Sequence, residues 1–321
     1  SNVLIPMLIS SFSGNIQASL IYAKALYNFF SINNTKTFIN YGEFNPGFRS
    51  VYYFLRKNKF PPKIVSIQHS YANKNLLFYF NKKEEFSKQL DNEGKYFSPS
   101  PDYYLIQGEH FKKLLKKYFI KKTKIIGPLK YDLTNFNLNK KIYKKNKSKI
   151  ESSKFQKTIL ICPTIGDEDS IIDCLKKCNL NNIRLILSPH PVLKKARKDM
   201  IKKFNDKFEK KVNIKIFDNL SSLELIFHAD LVICGFSSLA VESLICKVPS
   251  VRIINHEHPH FFDLKDGVNN IKSWKELDHL INKKTKIVVN KKIQLTINNI
   301  FYKLDNRAHL RFWNFIKKQN L

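Results

Sequence analysis

The residues with the clearest chemical potential lie in the segment 229–253, which reads ADLVICGFSSLAVESLICKVPSVRI. Its apolar run at 231–234 predicts a buried strand, and Gly235 permits a tight turn after it. Ser237 and Ser238 then stand where a helix would begin, a position at which hydroxyl side chains are favoured caps. The free N–H groups and the positive end of such a helix attract phosphate. The alternative is an ordinary strand–turn–helix unit in which the serines serve only as caps.

Other polar residues follow neighbouring strands or lie one helical turn away. The segment SPHP at 188–191, which contains His190 and Pro191, follows an apolar run, and ligands of parallel α/β sheets bind at the carboxyl ends of strands. The proline ends the strand, and we expect the histidine to contact a phosphate or a leaving nucleotide. Its alternative is a loop histidine packed on the next helix. Glu242 is placed to accept hydrogen bonds from ribose hydroxyls, and Thr164 and Gly166 are assigned to the same site.

Composition limits the classes of protein. The net charge is +30, but the lysines are spread along the chain, and we recognise no zinc-finger spacing, RRM motif or helix-turn-helix pattern. A basic surface also suits an anionic membrane and anionic substrates. No run of 18 apolar residues predicts a transmembrane helix, the start lacks a signal-peptide pattern, and the five cysteines favour reduced thiols. We therefore expect a cytoplasmic protein, with peripheral attachment to the inner face of the inner membrane as a further expectation.

Short β-branched runs alternate with amphipathic helical stretches in both halves of the chain, which predicts parallel α/β sheets. A lysine- and asparagine-rich segment between the halves predicts a linker. The expected divisions are a first domain at 1–134, the linker at 135–157, a second domain at 158–292, and a C-terminal helical segment at 293–321 that crosses back to the first domain. The predicted fold is therefore α/β, with two Rossmann-like domains facing a central cleft.

The His-Pro and Ser-Ser pairs resemble motifs of bacterial sialyltransferases and polysialyltransferases, which use CMP-activated sugars. The resemblance implies that His190, Ser237 and Ser238 contact the CMP phosphate. Those families also carry an acidic motif ending in glycine, whose carboxylate acts as the base. The nearest counterpart, GDED at 166–169, has the inverted order and lies in the second half, so the catalytic role is not carried over. Alternatively, these acids simply begin a helix.

Two motifs of the first half carry a second resemblance. GPLKYD at 127–132 is similar to an element that ends the first domain of Kdo transferases, which also use a CMP-sugar, and this resemblance assigns Gly127 and Lys130 to the donor site. IQHSY at 67–71 resembles the Gln-His-Ser/Gly element of bacterial surface-carbohydrate transferases. Together the resemblances imply a glycosyltransferase of the two-domain GT-B type, with an acceptor-binding first domain and a donor-binding second domain.

An inverting transfer needs a base for the acceptor hydroxyl. Glu43, which follows a predicted strand and precedes Pro46-Gly47, is our candidate, with His69 as a second base or an acceptor-binding group. Their alternatives are a solvated loop glutamate and a strand-end histidine bonded to the backbone. The HEHPH run at 256–260 has no cysteine or carboxylate set to complete a metal site, so we expect a loop beside the donor pocket and no metal.

The sequence thus predicts transfer of a sugar, from a CMP-activated ulosonic acid such as Kdo or a nonulosonic acid, onto a bacterial surface glycan or glycoconjugate. The expected partners are the nucleotide-sugar donor, a glycan or lipid-linked acceptor and an anionic membrane surface. No cofactor and no nucleic acid are expected. Two enzymatic alternatives stay open, a UDP-sugar transferase and a CDP-polyol phosphotransferase. From another class, the alternative is a basic nucleic-acid-binding or scaffold protein.

Overall fold

The structure is a computed structural model that describes residues 14–41, 46–58, 62–69, 100–117, 122–133, 155–164, 166–189, 194–208, 212–217, 219–254, 266–283 and 289–321. The chain divides into two compact units. Unit one comprises Ser1–Leu133 and Ile300–Leu321, and unit two comprises Thr134–Asn299. Several predicted features lie outside the described residues: the linker up to residue 154, Glu43, His190, Pro191 and the HEHPH run.

Unit one contains a four-stranded sheet in the order β1-β2-β3-β4, and every pair in it is parallel. Its strands are β1 (Thr37–Tyr41), β2 (Lys63–Ile67), β3 (Tyr103–Ile106) and β4 (Thr123–Ile125). Its helices are α1 (Gly14–Ile32), α2 (Pro46–Lys57), α3 (Glu109–Lys117), α4 (Leu129–Leu133) and, after the second unit, α11 (Ala308–Lys318). The parallel pairing follows from the strand–helix alternation, because parallel neighbours need a crossover connection.

Helices cover both faces of this sheet. Ile64 of β2 belongs to a core cluster with Ala23 and Phe30 of α1 and with side chains of α2. The next residue, Val65, belongs to a different cluster that contains Phe312 of α11. Because successive side chains of a strand point to opposite faces, α1 and α2 form one layer and α11 forms the other.

Unit two contains a six-stranded parallel sheet in the order β10-β9-β8-β5-β6-β7. Its strands are β5 (Lys157–Cys162), β6 (Ile183–Leu187), β7 (Asn213–Lys215), β8 (Leu231–Cys234), β9 (Ser250–Ile253) and β10 (Asn269–Ile271). Its helices are α5 (Glu168–Leu175), α6 (Lys194–Phe208), α7 (Ser222–Ile226), α8 (Leu239–Ile245), α9 (Trp274–Asn282) and α10 (Lys291–Phe301), whose last two residues belong to unit one.

Strands β6, β8 and β9 of unit two are buried along their whole length, as expected for a parallel sheet covered on both faces. Side chains of α5, α6 and α9 pack on one face in a single large cluster. Leu225 of α7 and Val241 of α8 are buried but do not belong to that cluster, and α8 lies against β8 and β9. Numbered within the unit, the strand order is 3-2-1-4-5-6, which is the order of the Rossmann fold. The predicted α/β class with Rossmann-like domains is confirmed.

The C-terminal segment contains two helices, α10 and α11. Tyr302 and Asn306, which lie between α10 and α11, have φ values of 57° and 56°. A left-handed residue cannot continue an α-helix, so the chain turns here. Among the described residues, no helix is long and apolar enough to cross a membrane.

Candidate functional site

The strand order reverses between β5 and β8, and this topological switch point is where open α/β sheets bind ligands. Two loops meet at the carboxyl edge there. One follows β5 and leads into α5, and the other follows β8 and leads into α8. Cys162 and Cys234, the last residues of the two strands, are partners in the parallel register. The two loops are therefore held side by side from their first residues.

Asp167 ties these loops together. Its Oδ1 accepts a hydrogen bond from the Thr164 N–H at 2.7 Å, and its Oδ2 accepts one from the Thr164 hydroxyl at 2.6 Å. The same Oδ2 accepts a hydrogen bond from the Phe236 N–H at 2.7 Å, across the switch point. Asp167 is only 3% exposed. Burial raises the pKa of its carboxyl group above the usual value, and the hydrogen bonds from Thr164 and Phe236 offset part of that rise.

Gly235 leaves room for this carboxylate. A Cβ on Gly235 would overlap Oδ2, Cβ and Cγ of Asp167. The glycine therefore serves the close approach of two loops, in addition to the tight turn predicted for it. Gly166, by contrast, has nothing within 4 Å of an added Cβ, and its φ of +95° is the reason that a glycine suits that position.

Ser237 and Ser238 stand at the start of α8, and their side chains form different hydrogen bonds, which the sequence does not reveal. Ser238 already has helical backbone angles, φ −62° and ψ −17°, and its side chain forms no capping bond. The hydroxyl of Ser238 donates to Oε1 of Glu242 at 3.2 Å instead. Ser237, which is buried, accepts a hydrogen bond from the Leu239 N–H at 3.3 Å. Within the described part of the chain, the N–H groups of Ser237 and Ser238 form no hydrogen bond.

Two thiols end strands β5 and β8, and the neighbouring strand β9 contributes to a buried ion pair. Burial is the main reason that the pKa of Cys234 is well above its usual value, and a hydrogen bond with Cys162 adds to it. Both cysteines are free thiols, and we expect Cys234 to stay protonated. Arg252, the register partner of Cys234 on β9, forms a buried ion pair with Asp266 at 2.7 Å. Such a pair compensates two charges that would be costly alone.

The end of β6 lies beside the same edge. The Ser188 N–H donates to the carbonyl of Ile161 at 2.9 Å, and the Ser188 hydroxyl lies 2.7 Å from the Ser222 hydroxyl at the start of α7. His190 and Pro191 follow directly in sequence, outside the described residues. Their assignment to the donor site stays a prediction.

The carboxyl edge of the sheet in unit one holds the described base candidate, His69. Its side chain is exposed, its ring lies edge-on to Tyr41 with 5.1 Å between centroids, and its carbonyl accepts from the Tyr41 hydroxyl at 3.4 Å. Gln68 lies beside it, and its Oε1 accepts a hydrogen bond from the Gln107 N–H at 2.9 Å. The predicted role of His69 is compatible with this exposure and stays a prediction.

The other two predicted donor residues lie in unit one, close to the C-terminal helix. Gly127 has φ +86°, and a Cβ there would lie 2.9 Å from Nη2 of Arg311. The Lys130 side chain is exposed, with its ammonium 5.6 Å from the centre of the Tyr131 ring. In the same motif, Asp132 accepts a hydrogen bond from the His309 N–H at 2.7 Å. The motif therefore positions α11, while Thr164, Gly166, Gly235, Ser237, Ser238 and Glu242 lie together in unit two.

Asp167 is the residue whose role the sequence analysis missed. It was considered as a carboxylate that begins a helix or as a remote counterpart of a catalytic motif. The spacing Thr164-x-x-Asp167 after an apolar strand indicates a loop in which the aspartate side chain accepts a hydrogen bond from a residue three positions earlier. Its bond to Phe236 joins residues 69 positions apart, which only the sheet order brings together. Among the described residues, no three metal-ligating side chains form a cluster.

No protein-family model and no curated protein matches this sequence. Solved structures do match its fold. The UDP-GlcNAc 2-epimerase of Methanocaldococcus jannaschii, in complex with UDP-GlcNAc and UDP, is 16% identical over 92% of this chain and 80% of its own, with a TM-score of 0.56. A glycosyltransferase from Rickettsia africae is 17% identical over 95% and 83%, with a TM-score of 0.53.

The wall teichoic acid polymerase TagF is 14% identical, with a TM-score of 0.52, over 99% of this chain and 98% of the TagF chain. At these identities the similarity concerns the fold alone. The fold is that of GT-B proteins, with two Rossmann-like units, and the GT-B fold predicted from the sequence is confirmed.

Proposed function

We propose that this chain is a glycosyltransferase whose nucleotide-sugar donor binds at the carboxyl edge of the unit two sheet. The observation that carries the proposal is the bond from the Phe236 N–H to Asp167, because it shapes two loops at the switch point of a Rossmann-ordered sheet. The shared fold supports the same conclusion. Two proteins of that fold are an epimerase in complex with UDP-GlcNAc and a glycosyltransferase.

The donor phosphate is assigned to the turn at 235–238. Ser237 and Ser238 stand at the start of α8, and their N–H groups donate no hydrogen bond within the described chain. These N–H groups are therefore available to an anion. The carboxylate of Asp167 lies beside the same turn, but it is buried and accepts three hydrogen bonds. Those bonds offset part of the cost of burying its charge, so we assign Asp167 to shaping the turn and not to binding the phosphate. Glu242, which already accepts from Ser238, is the candidate for ribose hydroxyls.

The proposed donor is a CMP-activated ulosonic acid, on the strength of the His-Pro and Ser-Ser motifs. CMP leaves as a monophosphate, which requires less charge neutralisation than a diphosphate. Backbone N–H groups, the serines and His190 are expected to supply it, so we expect transfer to continue in the presence of EDTA. Complete loss of transfer on chelation, with recovery on adding magnesium or manganese, would show that a metal takes part.

Two other donors are alternatives to the CMP-sugar, and each is supported by one structural similarity. A UDP-sugar is supported by the fold shared with an epimerase in complex with UDP-GlcNAc. A CDP-polyol phosphotransferase is supported by the fold shared with TagF over nearly the full length of both chains. The acceptor in each case would be a bacterial surface glycan or a lipid-linked glycoconjugate, and the base would come from unit one.

Calorimetric titration of the full chain with CMP, CDP and UDP tests the proposal and ranks the donors. We expect CMP to bind, and Ser238→Ala and His190→Ala to weaken it by about 1–3 kcal/mol, the usual cost of a lost charge-assisted hydrogen bond. Ser273→Ala is the matched control, since Ser273 caps α9, away from the switch point. Preference for UDP or CDP would show that the donor carries that nucleotide instead of CMP. Binding of none of the three nucleotides would overturn the proposed site.

A further inference from the structure

Helix α1 presents an apolar surface to solvent on the side away from its core. Ala23 and Phe30 are buried against α2, whereas Ile21, Tyr22, Phe29 and Ile32 are 70%, 48%, 58% and 83% exposed. At about 100° per residue, the four exposed side chains fall within one third of the helix circumference. We call these four residues the α1 stripe. From Ile21 to Ile32 it extends over roughly 17 Å of helix, at about 1.5 Å per residue.

Among the described residues, the exposed charged side chains at the amino edge of this sheet are lysines, and the acidic residue there, Asp102, is partly buried and pairs with Arg56. Helix α1 contains Lys24 and no acidic residue. It ends at the amino edge of the sheet, where Lys36 and Lys63 are exposed and are joined by a backbone hydrogen bond of 2.8 Å. Lys57, at the end of α2, and Lys122, just before β4, are exposed at that same edge.

We propose that the α1 stripe and these edge lysines dock unit one onto a bilayer that contains anionic lipids. Apolar and aromatic side chains of a surface helix insert into the acyl boundary, while lysines contact the headgroups. Each lysine near an anionic leaflet adds to the affinity, and binding weakens as salt rises.

Charge favours a bilayer over a second copy of this chain. Unit one has 25 Lys and Arg against 9 Asp and Glu, a net charge of +16. Two copies meeting at the α1 stripe would bring like charges together, which opposes association. An anionic bilayer supplies the opposite charge and the apolar phase at once. Docking at the amino edge also keeps the bilayer away from His69, which lies at the carboxyl edge of the same sheet.

The proposal does not depend on the glycosyltransferase assignment, and its test needs no substrate. The full chain is sedimented with vesicles of phosphatidylcholine, alone or mixed with phosphatidylglycerol, at low and high salt. We expect binding only to the mixed vesicles. The double variant Phe29→Ser/Ile32→Ser should lower the partition coefficient by more than tenfold, because both side chains lose burial in lipid. Lys36→Gln and Lys63→Gln should each lower it by about fivefold.

The matched control is Leu310→Ser. Leu310 is 49% exposed on α11, which belongs to the same unit but to the opposite layer. The Leu310→Ser variant should bind vesicles as the native chain does, and circular dichroism should show that all variants are folded. Absence of binding by the native chain overturns the proposal. So does binding that depends on the lysines but is unchanged in the Phe29/Ile32 variant. Self-association without lipid, lost in that variant, would assign the stripe to a second copy instead.

Discussion

The side chain of Asp167 occupies the space that a side chain on Gly235 would need. An added Cβ on Gly235 would overlap the Oδ2, Cγ and Cβ atoms of Asp167, and the same Oδ2 accepts the N–H of Phe236 at 2.7 Å. A small residue on one loop and a buried acid on the other are thus parts of one contact. The contact fixes how the loop after β8 leaves the sheet.

Gly235→Ala should destabilise unit two and weaken nucleotide binding together. The new methyl group must displace Asp167, which costs about 1–3 kcal/mol as overpacking and strains the bond to Phe236. Urea unfolding and calorimetry with CMP would measure the two effects. Gly166→Ala is the control. Its φ of +95° predicts a loss of about 1–2 kcal/mol, but with no clash, since nothing lies within 4 Å.

A double-mutant cycle separates the two causes. Asp167→Gly removes the three atoms nearest to the new methyl group, so the cost of Gly235→Ala should largely vanish in that background. The cost of Gly166→Ala should be the same with and without Asp167. If Gly235→Ala costs as much in the Asp167→Gly background, the contact does not explain the glycine.

Asp167→Asn should lower both stability and nucleotide affinity. An amide has one acceptor oxygen, so at least one of the donors from Thr164 and Phe236 loses its partner, at about 1–3 kcal/mol. Asp169→Asn is the matched control. Asp169 is 68% exposed and pairs with Lys203 on the surface, and removing such a pair costs about 0–1 kcal/mol. Equal effects of the two substitutions on CMP affinity would remove Asp167 from the site.

The titration of Asp167 gives a pH dependence with a definite sign. Burial raises its pKa above 3.8 in the folded state. Between 3.8 and the folded value the native state binds more protons than the unfolded chain, so this group's contribution to stability falls as pH rises through that window. Above the window it is constant. Subtracting the unfolding free energy of Asp167→Asn from that of the native chain, at each pH, isolates the effect. A difference that rises with pH over that window would contradict the raised pKa.

The fold could be predicted because each local signal agreed with the parallel architecture. Strand β8 is a continuous apolar run, β6 is apolar except for Arg184, and helices separate such strands along the chain. The break between α10 and α11 could not be predicted, because Tyr302 adopts a left-handed conformation that its residue type disfavours.

The site could be predicted only in part. A glycine and two serines after an apolar strand already predicted a turn and a helix start at 235–238. The bond between Asp167 and Phe236 depends on β5 and β8 being neighbours, a property of sheet order that no local pattern encodes. The GPLKYD motif resembles a donor-site element by residue type. In the fold, its Asp132 and Gly127 lie against α11. The roles of Glu43, His190 and Pro191 stay predictions.

Arg311→Ala should loosen the C-terminal helix. Arg311 donates to the carbonyl of Ile126 at 2.6 Å and to both oxygens of Asp305 at 2.9 and 3.0 Å, so it joins α11 to the end of β4. We expect a loss of about 1–3 kcal/mol and faster amide exchange in α11. Arg307→Ala, an exposed arginine just before the helix, should change neither. Unchanged exchange in Arg311→Ala would show that apolar packing alone holds α11.

Glu43→Gln should lower turnover while nucleotide binding stays intact. The donor is assigned to unit two and the acceptor to unit one, so the base is sought among strand-end residues of unit one. Glu43 and His69 have suitable chemistry there, and a carboxylate is ionised at neutral pH without tuning. The amide keeps the shape and removes the basicity, which should cost roughly 10²–10⁴-fold in turnover.

His69→Ala decides between the two candidate bases. His69 is exposed at its strand end, so its loss should affect acceptor use more than folding. If Glu43 is the base, His69→Ala raises the acceptor KM with a smaller effect on turnover, and Glu43→Gln lowers turnover by roughly 10²–10⁴-fold at unchanged CMP affinity. Near-normal turnover in Glu43→Gln together with loss in His69→Ala would pass the role to the histidine. Normal turnover in both variants would exclude both residues and the inverting mechanism built on them.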